Sequence, residues 1–511
     1  MEKPVAADTY SSPFVFFYLF NLIVGVGVLN LPQAFNTAGL AIATILIAVL
    51  CLLGYMAATF VTEAMAAANA YAAMENKNKA TPVSYSTNVG DESDVKPLLQ
   101  PNDVVEKPQD YGSGLLPSSS AAVSHELGPE YYEINKKFEL GTMANMFFHP
   151  VGIFFYYFVI CLYLYGDLAI YAVTMPKSLT TVLCTGAIYN LTTVNQTVPN
   201  QNFTECVGNL TQAEFYYVFL AIVALVLSPL AFFNLQKTKI LQLITTFMRN
   251  FAFTLMIIIA LYHISHGNRA TPNIANAKAF PSLFGVSVYS FICQHSLPGI
   301  VTPMRSKRWL YHVMAADFIL VLCFYYLLSY TGAFWLGNDL NSLHSLDYFI
   351  PWNLYPASSK ILKLCGYYLA LFPVFTLSTS YPIIAITLRE NLKSLVHTLL
   401  VLMKKDVTYP FIVDRILFPL FVVIPPLGIA FGTQNVDVLV SVTGSYPGVC
   451  VQYLVPAALA FWGMRAIKKK YGTYQNQYRS PFRHWIFFVV LTVWSGVCII
   501  LVTAYLPMKY A

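Results

Sequence analysis

Charge is what this sequence has least of. Asp, Glu, Lys and Arg make up 11% of its 511 residues, where a soluble chain carries about 25%. That deficit excludes an ordinary soluble globular protein. Catalytic signatures are missing too. There is no H-E-x-x-H, no P-loop and no G-x-S-x-G, which leaves no basis for a zinc protease, a nucleotide hydrolase or an α/β-hydrolase. An intramembrane aspartyl protease needs two facing aspartates. Tyr165-Gly166-Asp167 offers half of such a site, but Asp317 and Asp437 fall at the edges of apolar runs. The chain is therefore read as a non-enzyme without a cofactor. Its formal charge of +6 is not gathered into one basic surface, so nucleic acid is not expected as a partner.

What is present is apolar length. Residues 9–62 contain none of the four charged types, and nine further uncharged runs follow at 140–166, 215–236, 250–268, 279–304, 318–338, 364–388, 416–436, 438–464 and 484–508. A helix needs about 20 apolar residues to cross the ~30 Å hydrocarbon core of a bilayer. The first run holds two such spans, hinged near Thr37-Ala38-Gly39. The expected fold is an all-α membrane protein of eleven transmembrane helices. With a cytosolic N-terminus, 24 of the 30 Lys and Arg fall on the cytosolic side; the six others are Lys177, Arg269, Lys278, Lys360, Lys363 and Lys509. Such a bias sets orientation and puts the C-terminus on the luminal or extracellular side. No cleavable signal peptide is expected, since residues 8–32 are too long an apolar stretch and lack a basic leader.

The expected organisation is a cytosolic N-terminus at 1–13, two spans at 14–72, a mostly disordered acidic cytosolic loop at 73–140, and nine spans at 141–508. The loop 177–213 agrees with this orientation. It carries four Asn-x-Thr sites, at Asn190, Asn195, Asn202 and Asn209, as glycosylated luminal loops do. It also holds Cys184 and Cys206, while the other seven cysteines lie within apolar runs. An oxidising lumen would pair the two; two free thiols are the alternative. The acidic loop has too few apolar residues to build a core. Within it, Asp94-Val-Lys-Pro-Leu98-Leu99 has the form of an acidic dileucine signal. Sorting adaptors read such a signal, and a lysosomal or late endosomal address is favoured over the plasma membrane.

The chemistry is expected where the spans are interrupted. The first span reads Asn21-Leu-Ile-Val24-Gly25-Val26-Gly27-Val-Leu-Asn-Leu-Pro32, and each glycine costs a helix about 1 kcal/mol. Unwound backbone at that depth survives only where it is buried in protein or lines a cavity; close helix packing is the alternative. The sixth span gathers Gly285, Ser287, Ser290, Phe291, Cys293, Gln294, His295 and Pro298 in one uncharged run. If spans 1–5 and 6–10 are inverted halves, these two spans are equivalents, and paired interruptions point to a transporter's central site.

The same residues carry a resemblance. Asn21-x-x-x-Gly25-x-Gly27-x-Leu29-x-x-Pro32 with Ala34-Phe35 and Ala38-Gly39 resembles the first helix of the amino acid/auxin permease family, within the amino acid–polyamine–organocation superfamily. The sixth span resembles that family's Phe-x-Cys-His-Pro helix, with Gln294 inserted between Cys293 and His295. Phe372-Pro373-Val-Phe375-x-x-Ser378-Thr379-Ser380-x-Pro382 resembles its eighth helix. Leu162-Tyr-Leu-Tyr-Gly166-Asp167-Leu-Ala-Ile-Tyr171 and Thr62-Glu63-Ala-Met-Ala-Ala-Ala-Asn69-Ala resemble one branch of it that has no assigned substrate.

The resemblance implies a five-plus-five inverted-repeat (LeuT-like) transporter fold with an extra C-terminal helix. It implies alternating-access transport of amino acids or related small amines, coupled to Na+ or H+. With Val24, Gly25, Val26 and Gly27 lining the break, free amides at the start of the half-helix after Gly27 would take a substrate carboxylate, and carbonyls in 287–294, a stretch holding Ser287, Ser290, Phe291 and Gln294, its ammonium. Asp167 and His295 are candidates for proton coupling, with a structural contact as the alternative for each. Ser378 and Thr379 are candidates for Na+, with hydroxyls bonded back into their own helix as the alternative. A non-transporting sensor signalling through 73–140 is the second functional reading.

Overall fold

A computed structural model describes residues 10–80, 128–183, 211–232, 239–267, 269–337, 360–405 and 410–510. The dileucine residues Asp94, Leu98 and Leu99, the four Asn-x-Thr sites, and Cys184 and Cys206 lie outside the described residues. The seven other cysteines are unpaired.

The apolar runs become helices. The first forms α1 (Ser12–Ile23), a short 3-10 turn (Val26–Asn30) and α2 (Leu31–Ala38), and then α3 (Leu40–Ala80). The remainder are α4 (Leu140–Phe147), α5 (Pro150–Leu183), α6 (Gln212–Leu227), α7 (Lys239–Ser265), α8 (Phe280–Phe291), α9 (Leu297–Val301), α10 (Leu310–Leu336), α11 (Lys360–Leu402), α12 (Phe418–Gly432), α13 (Val436–Thr443), α14 (Val455–Tyr471) and α15 (Trp485–Tyr510). Among the described residues nine helical segments are long and apolar enough to cross a membrane, and the bent pair Ser12–Ile23 with Gly27–Ala38 makes a tenth. This is a multi-span membrane protein. The one expected span left over, the sixth at 279–304, is not one helix. It divides into α8 and α9, neither of which has the ~20 residues that a crossing needs.

In α8 ten of the twelve residues are buried, as expected for a helix apolar on every face. Around it stand α2, α3 and α13. The tightest crossing is at Gly285 and Gly444, where a side chain on either residue would run into the other helix's backbone. Between α13 and α14 the chain makes two π turns, Gly444–Gly448 and Cys450–Leu454. Pro447 lies in the first, and it has no N–H to donate to a regular helical ladder.

Both ends of the bundle are tied. At the end carrying Lys468, Lys469 and Lys470, Tyr10 bridges to Met304, with its N–H 2.9 Å from the Pro303 carbonyl. There the stretch from residue 128 to α4 folds back onto α3. Asn69 donates to the Lys136 carbonyl (3.1 Å) and accepts from its N–H (2.9 Å), and Tyr132 and Ile134 are fully buried. At the other end, Leu40 and Ala41 donate to the carbonyls of Asn273 and Ile274, both at 3.0 Å. Gly39 turns the chain there with φ +90°, against the backbone of Ala275.

Candidate functional site at two facing helix breaks

The break in the first span follows from its glycines. Val24 still donates to Phe20 at 2.9 Å, but the Gly25 N–H turns to Ile23 at 2.8 Å instead of Asn21. The Asn21 carbonyl, released from the helix, accepts from Arg249 of α7 at 2.7 Å. The same guanidinium meets the Asn21 side-chain oxygen, and Asn21 donates in turn to Thr246 (2.6 Å). Ion pairs among the described residues include Lys137–Glu139, Arg389–Glu390, and Lys393 with Glu390 and Asp414. Arg249 belongs to none of them, and its Nε is buried without a partner. An isolated cation inside a bundle is costly. Helix carbonyls, the negative end of the α1 dipole, compensate for it in part.

The second break lies at residues 292–296. It releases the Ser290 carbonyl, which accepts from the Tyr325 hydroxyl at 2.6 Å. That hydroxyl also stands 3.2 Å from the Ile23 carbonyl. A phenol has one proton, so carbonyls at the two breaks share one donor. The breaks therefore face each other across a fully buried tyrosine of α10.

The two glycines have different surroundings. A Cβ on Gly27 would lie 2.6 Å from the Tyr289 ring and 3.2 Å from Ser290 Cα, whereas one on Gly25 would meet nothing nearer than Ile23 O at 4.0 Å. Close packing accounts for Gly27; open space surrounds Gly25. Val24 is fully buried, and Val26 begins the 3-10 turn. Ser290 gives its hydroxyl to Val286 (2.8 Å), while the buried Ser287 hydroxyl has no partner. Phe291 packs on Tyr325, ring centroids 5.1 Å apart. Gln294 is turned toward α3, donating to Gly54 (3.3 Å) and accepting from the Cys293 N–H (3.0 Å).

Of the ion-coupling candidates, Asp167 lies midway along α5, 4% exposed, with Oδ1 unpartnered and the phenols of Tyr163 and Tyr289 facing it. His295 lies in the second break, its ring 5.5 Å from that of Tyr163 and its Nδ1 buried without a partner. Ser378 donates to Phe375 (3.1 Å) and Thr379 to Thr376 (2.9 Å). Both hydroxyls are engaged within α11.

No family model matches the chain. It is 40% identical to transmembrane protein 104 of Homo sapiens over 514 residues, which cover 98% of each chain. Identity is 36% to the Drosophila melanogaster homolog over 515 residues (98% of this chain, 97% of that one) and 34% to the Dictyostelium discoideum homolog over 522 residues (98% of each). The chain belongs to the transmembrane protein 104 family.

For this member of the transmembrane protein 104 family, the structure adds residues that sequence reasoning left out. Arg249 and Asp317 border the uncharged runs 250–268 and 318–338 and so read as span edges. In the structure α7 begins ten residues before Arg249, and α10 seven before Asp317. Asp317 is fully buried with neither carboxylate oxygen partnered. Gln452, in the second π turn, is equally buried with both amide atoms unpartnered. Gly54 lies between the two regions. A Cβ there would stand 3.1 Å from the Phe318 ring and 3.4 Å from Gln452 Nε2. Tyr325 carried no signal, being one of 35 tyrosines.

Glu63 is 3% exposed. The loop before α15 encloses it: Tyr474 donates to its carboxylate at 2.9 Å and the Ser480 N–H at 3.0 Å. Burial in that loop holds the Tyr474 phenol well above the ordinary tyrosine range.

Proposed function

We propose that this chain is a secondary active transporter of amino acids or related small amines, working by alternating access. The observation that carries this reading is the pair of opposed helix breaks whose Ile23 and Ser290 carbonyls share the Tyr325 hydroxyl. Interrupted helices paired across a repeat are where such transporters bind. Counting α8 with α9 as one crossing makes eleven spans. Spans 1–5 and 6–10 then form the five-plus-five inverted repeat, α15 is the extra helix, and the chain sits within the amino acid/auxin permease family. The N-terminus is cytosolic, the loop 177–213 luminal, glycosylated and closed by Cys184–Cys206, and the dileucine at Leu98-Leu99 directs the protein to lysosomal membranes.

In this reading a substrate carboxylate lies in the space at Gly25. There it meets the free amides that open the turn Val26–Asn30, at a positive helix end, with the Arg249 guanidinium beside them. The ammonium is met by the unpartnered Ser287 hydroxyl and by carbonyls of the second break. Proton coupling falls to the buried carboxylates Asp167 and Asp317, with His295 in the second break against Tyr163 of α5. Na+ at Ser378 and Thr379 requires both hydroxyls to leave their bonds within α11.

One observation favours the sensor reading. The double hydrogen bond from Asn69 to Lys136 fixes the end of the 73–140 loop to α3, so movement of α3 is passed to that loop. The discriminating experiment is counterflow of labelled amino acids in vesicles containing the purified protein. A transporter shows saturable counterflow that Gly25→Leu and Arg249→Met abolish. A sensor shows saturable binding without counterflow, and absence of both across an amino acid panel overturns the substrate class.

A further inference from the structure

A groove of about 960 Å³ runs along the flank of the bundle between α5 and α14. It is amphipathic along its length. Val159, Cys450 and Leu454 close one end, and His149, Arg465 and Lys469 stand at the other. From Leu454 to Lys469 is fifteen residues, about 22 Å of helix. That is half of a ~30 Å hydrocarbon core plus one headgroup layer. The groove therefore reaches from the bilayer midplane to the headgroups of one leaflet, with its basic residues at headgroup level.

The cations there have no acidic partner. Arg465 lies over the rings of Phe461 and Trp462, at 4.8 and 5.7 Å, and neither it nor Lys469 belongs to an ion pair among the described residues. Glu139, which precedes α4, is held by Lys137 at 2.8 Å. Lys470 is turned away, donating to Tyr71 at 3.3 Å. Meanwhile the apolar walls stay uncovered: Phe155 is 59% and Trp462 46% exposed. An uncovered apolar cleft that ends in two unpaired cations complements a molecule with an apolar tail and an anionic head.

We propose that this groove binds one anionic phospholipid, its acyl chains between α5 and α14 and its phosphate at Arg465 and Lys469. The inference does not depend on whether the chain transports anything. Basic clefts between spans at the cytosolic headgroup level take anionic lipids, and each cation near the surface is worth about a factor of five in affinity.

Native mass spectrometry of the full chain in detergent tests it, by titrating phosphatidylglycerol and phosphatidylcholine with identical chains. The expected result is one tightly held phosphatidylglycerol, bound about twenty-five-fold better than phosphatidylcholine. Arg465→Gln with Lys469→Gln should weaken phosphatidylglycerol about twenty-five-fold, bringing it to the level of phosphatidylcholine. Ala458→Trp, inside the groove, should weaken both lipids. Equal affinity for the two lipids in the natural protein overturns the proposal, as does an undiminished affinity in the double variant. A second copy of the chain held at this face, seen as a dimer that Ala458→Trp dissociates, overturns it as well. If Ala458→Trp does not fold, the double variant decides alone, because it leaves the apolar walls intact.

Discussion

Alanine at Gly25 and alanine at Gly27 form a paired test of the first break. At Gly27 the new methyl would lie 2.6 Å from the Tyr289 ring, 3.0 Å from the Ser290 hydroxyl and 3.2 Å from its Cα. The last is backbone of a helix buried on nearly every face, so α8 must shift as a body. Overpacking of this kind costs about 1–3 kcal/mol. At Gly25 the backbone is extended, φ −97° and ψ −165°, which any residue adopts, and nothing stands within 4 Å except the chain's own Ile23 oxygen. There alanine restricts only the unfolded chain and stabilises by about 0.4–1 kcal/mol. The two variants should therefore straddle the natural protein, about 2 kcal/mol apart. Melting of the purified proteins in one detergent, at one scan rate, reads the difference. Gly27→Ala melting at or above the natural protein, with Gly25→Ala below it, refutes the assignment of packing to one glycine and open space to the other.

Tyr325→Phe removes the shared donor and leaves the Ser290 carbonyl without it; a loss of about 1–3 kcal/mol is expected, read as lower melting of the purified protein. Asn69→Ala frees residues 128–139 from α3, and hydrogen exchange should rise in that stretch while α5 and α11 stay protected. Treatment with an N-glycosidase should shift gel mobility through the loop 177–213; no shift, with labelling of that loop by cytosolic reagents, overturns the orientation. Leu98→Ala with Leu99→Ala should move the protein from lysosomal membranes to the cell surface, as scored by surface biotinylation.

Much of the fold was legible because a bilayer imposes length. Ten crossings coincide with uncharged runs, and the Thr37-Ala38-Gly39 hinge is a glycine turn. The same criterion explains what was missed. Counting uncharged runs puts every intramembrane charge at a boundary, so Arg249 and Asp317 looked peripheral. The run 364–388 covers only part of α11, whose helix continues through Arg389, Glu390 and Lys393; Arg389 is satisfied there by Glu390 and the Ala231 carbonyl. The break in the first span was legible from two glycines. Their division of labour was not, because it depends on which one meets α8. Tyr325 depends on a hydroxyl reaching two carbonyls far apart in sequence, which no local pattern encodes.

The two π turns between α13 and α14 give that span a stored register. Each π turn takes up about one residue more than an α turn, and each residue of an α-helix advances about 100°. Relaxing one of them would screw the whole of α14 by roughly that angle and lengthen the rod by about 1.5 Å. Gln452, now folded inward, would swing out of its buried niche, and Arg465 and Lys469 would be carried around the axis. Neither end of the span needs to be released from the membrane surface. A rotation of the basic end could thus be geared to the winding state near Gly444, where α13 and α8 touch backbone to backbone.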